Sequence, residues 1–204
     1  PATIRFGDIS LQMWFARPSR AALLVRQIHA SPSMAVIAVT GAGARAIAWL
    51  FAESGASRTV LDARIPYSVA ALDEYVGSRA EQHVSEAEAR MMADRSNWRA
   101  LQLLAADRPA EPGKVPVLGL GCTATIATDR PKKGDHRCHV AVRTAGDRTS
   151  WSLTMVKGAR DRNGEEEVVS RIVLNALAGG CAIGAKVPIA LKGGEEISES
   201  REAV

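Results

Sequence analysis

The chain has 204 residues, 47% hydrophobic and 24% charged, the balance of a globular domain with a sizeable core. A formal net charge of +4 is mild, and with 4% aromatics and no basic run interleaved with stacking residues it argues against nucleic acid. The apolar run 35–40 is far too short to span a membrane and the first ten residues lack a signal-peptide pattern, so a cytoplasmic protein without a membrane partner is expected.

Residues 1–18 read as an N-terminal extension. Residues 19–30 place Ala22, Leu23, Leu24 and Ile28 at helical spacing, and Ser31-Pro32 ends that helix. Residues 34–40 read as a buried strand, 43–53 as a helix stopped near Gly55, and 59–65 as a second strand. A short helix over 68–76 ends at Gly77. The longest helix, 85–106, opens on the acidic, capping-type "SEAEAR".

Residues 109–113 are a loop, 115–120 a buried strand and 122–135 irregular chain. Residues 136–144 and 149–157 alternate as two antiparallel strands around Ala145-Gly146-Asp147. Residues 165–178 form a helix closed by Gly179-Gly180. Residues 181–204, Gly-rich and then acidic, look like a linker or a frayed end, as of a domain cut from a longer protein. This order predicts one domain over 19–180, an α/β three-layer α/β/α sandwich with a mixed sheet.

Chemistry concentrates at two places. In "VIAVTGAGARAIAWLF" a strand meets a helix at Gly41-Ala42-Gly43, a GxGxxA match followed some twenty residues later by Asp62. That pattern fits NAD(P) binding through the helix N-terminus, and equally a tight strand–helix joint. Asp62 is then a ribose ligand or a solvated strand-end carboxylate. Thr40 is a nucleophile, a phosphate-binding hydroxyl or the N-cap of the helix.

The second place is the loop 129–137, where Arg130, Lys132, Lys133, His136 and Arg137 accompany Asp129 and Asp135. It reads as an anion clamp over the Thr40 turn or as a solvated basic loop. His29 and His83 are isolated and read as surface residues. Cys122, Cys138 and Cys181 are odd in number, widely spaced and without a CxxC, so neither a disulfide framework nor a metal site is expected.

Together these segments resemble the carboxy-terminal domain of the CinA family, the nicotinamide mononucleotide deamidases, over roughly residues 20 to 178. The family's Ser-Cys-Thr-Gly-Gly helix start is matched by "VTGAGARAIAWLFAESGAS", and its Tyr-Ser-Asn-x-x-Lys helix start by "VLDARIPYSVAAL". Its later helix is matched by "VSEAEARMMAD", and its loop and hairpin by "TATIATDRPKKGDHRCHVAVRT". The resemblance is to a divergent branch, sometimes joined to a nucleotidyltransferase domain.

The resemblance implies hydrolysis of a nucleotide carboxamide to a carboxylate and ammonia, with no cofactor. Thr40 stands for the family's nucleophilic Ser, and Tyr67 for its Tyr. Gly41, Ala42, Gly43, Ser68, Thr123, Arg130, Lys133 and His136 would surround a pyridine mononucleotide. Gly41 replaces a Cys, Leu72 replaces the family's Lys, and Arg171 is about two positions from its Arg. Leucine moves no proton, so the expectation is a weak or degenerate amidase. The alternatives are a non-catalytic nucleotide-sensing module and an NAD(P)-binding domain; a homo-oligomer is an allowed state.

Overall fold

A computed structural model describes residues 18–108, 113–130 and 133–204. The expectations for residues 1–17, the loop 109–112 and Lys132 lie outside the described residues.

Serine caps set the frame. Helix α1 (Arg20–Ala30) starts where the Ser19 hydroxyl accepts from the Ala22 N–H at 3.1 Å. Strand β1 (Met34–Thr40) is buried along its whole length. Helix α2 (Ala44–Ala52) and a 3-10 turn (Ala56–Arg58) lead to β2 (Val60–Arg64). Helix α3 (Val69–Val76) is capped by Ser68 and stopped by Gly77 in the left-handed region. Helix α4 (Glu86–Asp107) is capped by Ser85. Then come β3 (Val117–Thr125), β4 (His136–Arg143), β5 (Asp147–Met155), helix α5 (Arg162–Gly180) and β6 (Ile197–Ala203).

The six strands form one sheet in the order β2-β1-β3-β4-β5-β6. The first three are parallel and the rest antiparallel. Alternation along β1 sorts its residues between two layers of helices. Ile37 and Val39 join the core shared with α1, α2 and α5, whereas Val36 packs with α4 and Ala38 with α3 and α4. The α/β/α sandwich with a mixed sheet is therefore present. Among the described residues no helix is long and apolar enough to cross a membrane.

Three features depart from the sequence reading. Strand β3 runs on through Thr125, although irregular chain is expected from Cys122. It is held on both sides, with Thr40 in register with Thr123 and Arg137 with Thr125. Its glycines admit α4: a Cβ on Gly119 would lie 2.1 Å from the Ala93 carbonyl oxygen, and one on Gly121 2.4 Å from that of Ala89. Weak strand propensity is outweighed by central pairing and this close helix contact.

His29 is 1% exposed rather than on the surface, because Nδ1 meets the Thr59 hydroxyl at 3.0 Å and Nε2 the Leu50 carbonyl at 2.9 Å. The tail read as linker-like or frayed carries β6, which pairs with β5 along its length. Ahead of β6, Arg160 from the β5–α5 connection donates two hydrogen bonds to Glu195, at 2.6 and 2.7 Å. Glu195 also accepts from the N–H groups of Val156 and Lys192.

Candidate functional site

Thr40 stands at the carboxyl end of β1, where a parallel strand gives way to a turn and a helix. Gly41 follows with φ +78°, and a Cβ there would sit 1.8 Å from the Ala124 carbonyl oxygen of β3. Only glycine lets the turn lie this close to β3. The N-cap of α2 is Gly43, with no side-chain cap bond, so Thr40 is not the cap that one sequence reading made it. Its hydroxyl, on a residue 7% exposed, has no hydrogen-bond partner among the described residues.

A cleft of about 290 Å³ opens over this hydroxyl. Thr40, Gly41, Tyr67, Ser68 and Thr123 line it together, so five of the sequence-derived site residues converge. Tyr67 stands at the mouth, 68% exposed. The Ser68 hydroxyl accepts from the Ala71 N–H at 3.2 Å and so serves as the cap of α3. Leu72 is also in the wall, 3% exposed and packed with Ala38, Tyr75 and Met92. Leu72 is thus part of an apolar cluster.

A neighbouring recess of about 230 Å³ shares Thr40, Gly41 and Tyr67 with the cleft and adds Ala42 and Glu166. Arg162, at the start of α5, lines both hollows. Sequence reading passed over Arg162 because it lies just ahead of the helix expected from 165.

The N-terminus of α2 already holds a carboxylate. Glu166, on α5, accepts from the N–H groups of Gly43 and Arg45, each at 3.0 Å, and from the Ser170 hydroxyl at 3.1 Å. These are the free amides that would otherwise bind phosphate, and the helix dipole favours the negative charge there. The dinucleotide pattern therefore has its pyrophosphate place filled from within the chain. Asp62 is likewise engaged, by Arg64 at 2.8 Å and by Arg99. Burial acts to raise its pKa, and the two guanidinium groups outweigh that, leaving it below the ordinary carboxylate value.

Arg130 and Lys133 are exposed and line neither hollow. His136 opens β4 and is buried, its Nδ1 2.8 Å from Glu165, whose other oxygen accepts from the Ala127 N–H at 2.6 Å. That pair fastens the chain beside the cleft to β4 and α5. Arg171 bonds Glu167 and the Pro188 carbonyl and lies outside the cleft.

His83 is the second residue that sequence reading missed. Read as a surface residue, it lines the cleft, and its Nε2 is 2.9 Å from Asp73 Oδ1. The three cysteines are free and buried; burial pushes the Cys138 thiol up to about 12, and the Cys122 thiol is raised by burial too.

No protein-family model and no curated protein matches the sequence. Solved structures do match in three dimensions. A competence/damage-inducible protein from Agrobacterium tumefaciens superposes with a TM-score of 0.59 at 18% identity, covering 80% of this chain and 96% of that one. A CinA superfamily protein from Escherichia coli gives 0.55 at 14% identity, over 78% and 87% of the two chains. A competence damage-inducible protein from Klebsiella pneumoniae gives 0.52 at 18% identity, over 80% and 96%. At such identities the likeness is one of fold, and the order of motifs in the sequence points the same way. The chain has the fold of these CinA-type structures.

Proposed function

We propose that the Thr40 cleft binds an amide-bearing small molecule of the pyridine mononucleotide type and hydrolyses its carboxamide to a carboxylate and ammonia. The observation that carries this reading is the Thr40 hydroxyl, unpartnered at the carboxyl end of β1 in a cleft shared with Tyr67, Ser68 and Thr123. A hydroxyl so placed suits nucleophilic attack on a carbonyl. The β-branched side chain restricts χ1, so Thr40 explores fewer rotamers than a serine would.

Leu72 in the cleft wall argues for slow turnover, since among the described residues the wall has no amine to carry a proton. Tyr67 offers its ring for stacking on a base and its hydroxyl for the developing oxyanion. Glu166 excludes a phosphate from the α2 N-terminus, so the exposed guanidinium of Arg162 is the charge a nucleotide phosphate would meet. The buried Leu72 also favours a second reading, in which the cleft binds such a ligand without turning it over.

A ligand that binds only the folded state raises the melting temperature, by about 2.7 kcal/mol of stability at one hundred times its Kd. Nicotinamide mononucleotide is expected to shift the melting curve more than NAD at equal concentration. A shift from NAD with none from any mononucleotide would overturn the assigned ligand class.

A further inference from the structure

Three observations bring the chain at His83 to the cleft that holds Thr40. Thr40 and Thr123 are partners in the β1–β3 register, which sets neighbouring strands about 4.8 Å apart. Alternation puts Thr40 on the same face as Ala38, the face covered by α3 and α4. The Thr123 hydroxyl donates to the His83 carbonyl at 2.6 Å, tying the α3–α4 connection to β3 beside Thr40. From the other side, Asp73 of α3 holds the His83 ring at 2.9 Å.

An ionised Asp73 only accepts, so Nε2 carries the proton it shares, and Nδ1 keeps its lone pair. That nitrogen has no partner among the described residues, and His83 lines the cleft. Glu88, from the first turn of α4, is an acidic group that interacts electrostatically with both His83 and Asp73. It is 1% exposed, neither of its carboxyl oxygens is hydrogen-bonded, and burial lifts its pKa above the ordinary range. Asp73, in direct contact at 2.9 Å, is the carboxylate that orients the imidazole. Arg162 is the cation that lines the same cleft.

We propose that His83, oriented by Asp73, is the proton acceptor of the cleft and takes the place of the amine that Leu72 lacks. This rests on the reading of Thr40 as the attacking hydroxyl. The Thr40 oxygen forms a bond to the carboxamide carbon as its proton passes to His83 Nδ1, and the carbonyl π pair moves to oxygen. As the carbonyl re-forms, the C–N bond breaks, and His83 gives its proton to the departing nitrogen, releasing ammonia. Water then attacks the Thr40 ester and yields its proton to His83. Cleavage of the ester C–O bond returns that proton to Thr40 and frees the carboxylic acid, which gives its remaining proton to ammonia and becomes the carboxylate.

The test uses p-nitrophenyl acetate, an activated ester that reports acylation of a hydroxyl whatever amide the cleft takes. Acetylation of the Thr40 peptide would be followed by mass spectrometry across a pH range in the wild type, His83→Gln, Asp73→Asn and Thr40→Ala. Circular dichroism would confirm that each variant folds. Wild-type acylation is expected to rise with pH and level off. His83→Gln should lose about 10²–10⁴-fold in rate and with it that pH dependence. Asp73→Asn should show a smaller loss, and it supplies the comparison if His83→Gln fails to fold.

Equal acylation of Thr40 with and without His83 or Asp73, or none in the folded wild type, overturns the assignment. Acylation that needs His83, without ammonia release from nicotinamide mononucleotide, upholds the assignment and overturns the substrate reading instead.

Discussion

Replacing Glu195 by glutamine is expected to cost about 3–5 kcal/mol of stability, because it strands a buried guanidinium. The side chains of Arg160 and Glu195 are 7% and 0% exposed, and the pair joins the β5–α5 connection to the chain entering β6. Glutamine keeps the shape and one acceptor oxygen but leaves the Arg160 charge uncompensated. Urea denaturation at neutral pH measures the loss, and an unchanged midpoint would mean that this chain segment is not docked.

The same pair sets a pH dependence. Arg160's hydrogen bonds, and then the N–H groups of Lys192 and Val156, hold the Glu195 carboxyl at about 2 against an ordinary 4.5. The folded pKa lies below the unfolded one. Its contribution is therefore complete above about 4.5 and is lost as pH falls toward about 2. The gap in stability between wild type and Glu195→Gln should narrow across that window.

Gly41→Ala is the second large effect. The φ of +78° costs a non-glycine residue about 1–2 kcal/mol. The new Cβ would also meet the Ala124 carbonyl oxygen, backbone of a central strand, 1.8 Å away. Relieving that contact means parting β1 from β3 at the cleft, and overpacking of this kind adds about 1–3 kcal/mol. The variant should melt earlier and lose ligand-induced stabilisation. A Gly41→Ala protein with wild-type melting and binding would contradict the close approach of the Thr40 turn to β3.

Much of the frame was legible because it is written locally. Ser19, Ser68 and Ser85 cap the helices they precede, β1 spans the apolar run 34–40, and Gly77 stops α3. What was not legible depends on partners distant in sequence. Strand β6 is polar, and its pairing draws on Arg201 with Asp147, Glu202 with Arg148 and Glu199 with the Trp151 indole. None of those contacts leaves a periodic signal in the acidic tail.

The site divides the same way. Thr40, Gly41 and Tyr67 stand at strand–helix turns that pattern reveals, and the structure brings them together. Glu166 caps a helix 123 positions earlier, so the free amides expected after Thr40 are already occupied. His83 looked isolated because its partner Asp73 lies across a helix end, ten positions back. The basic loop was conspicuous by charge alone, and charge does not say which way a loop faces.

Ammonia release from nicotinamide mononucleotide, measured for the wild type and Thr40→Ala side by side, tests the assigned chemistry most directly. The expected result is slow but reproducible release by the wild type and none by Thr40→Ala, with both proteins folded. Turnover retained in Thr40→Ala would contradict Thr40 as the attacking group, and none from a wild type that binds the nucleotide would contradict the assigned substrate.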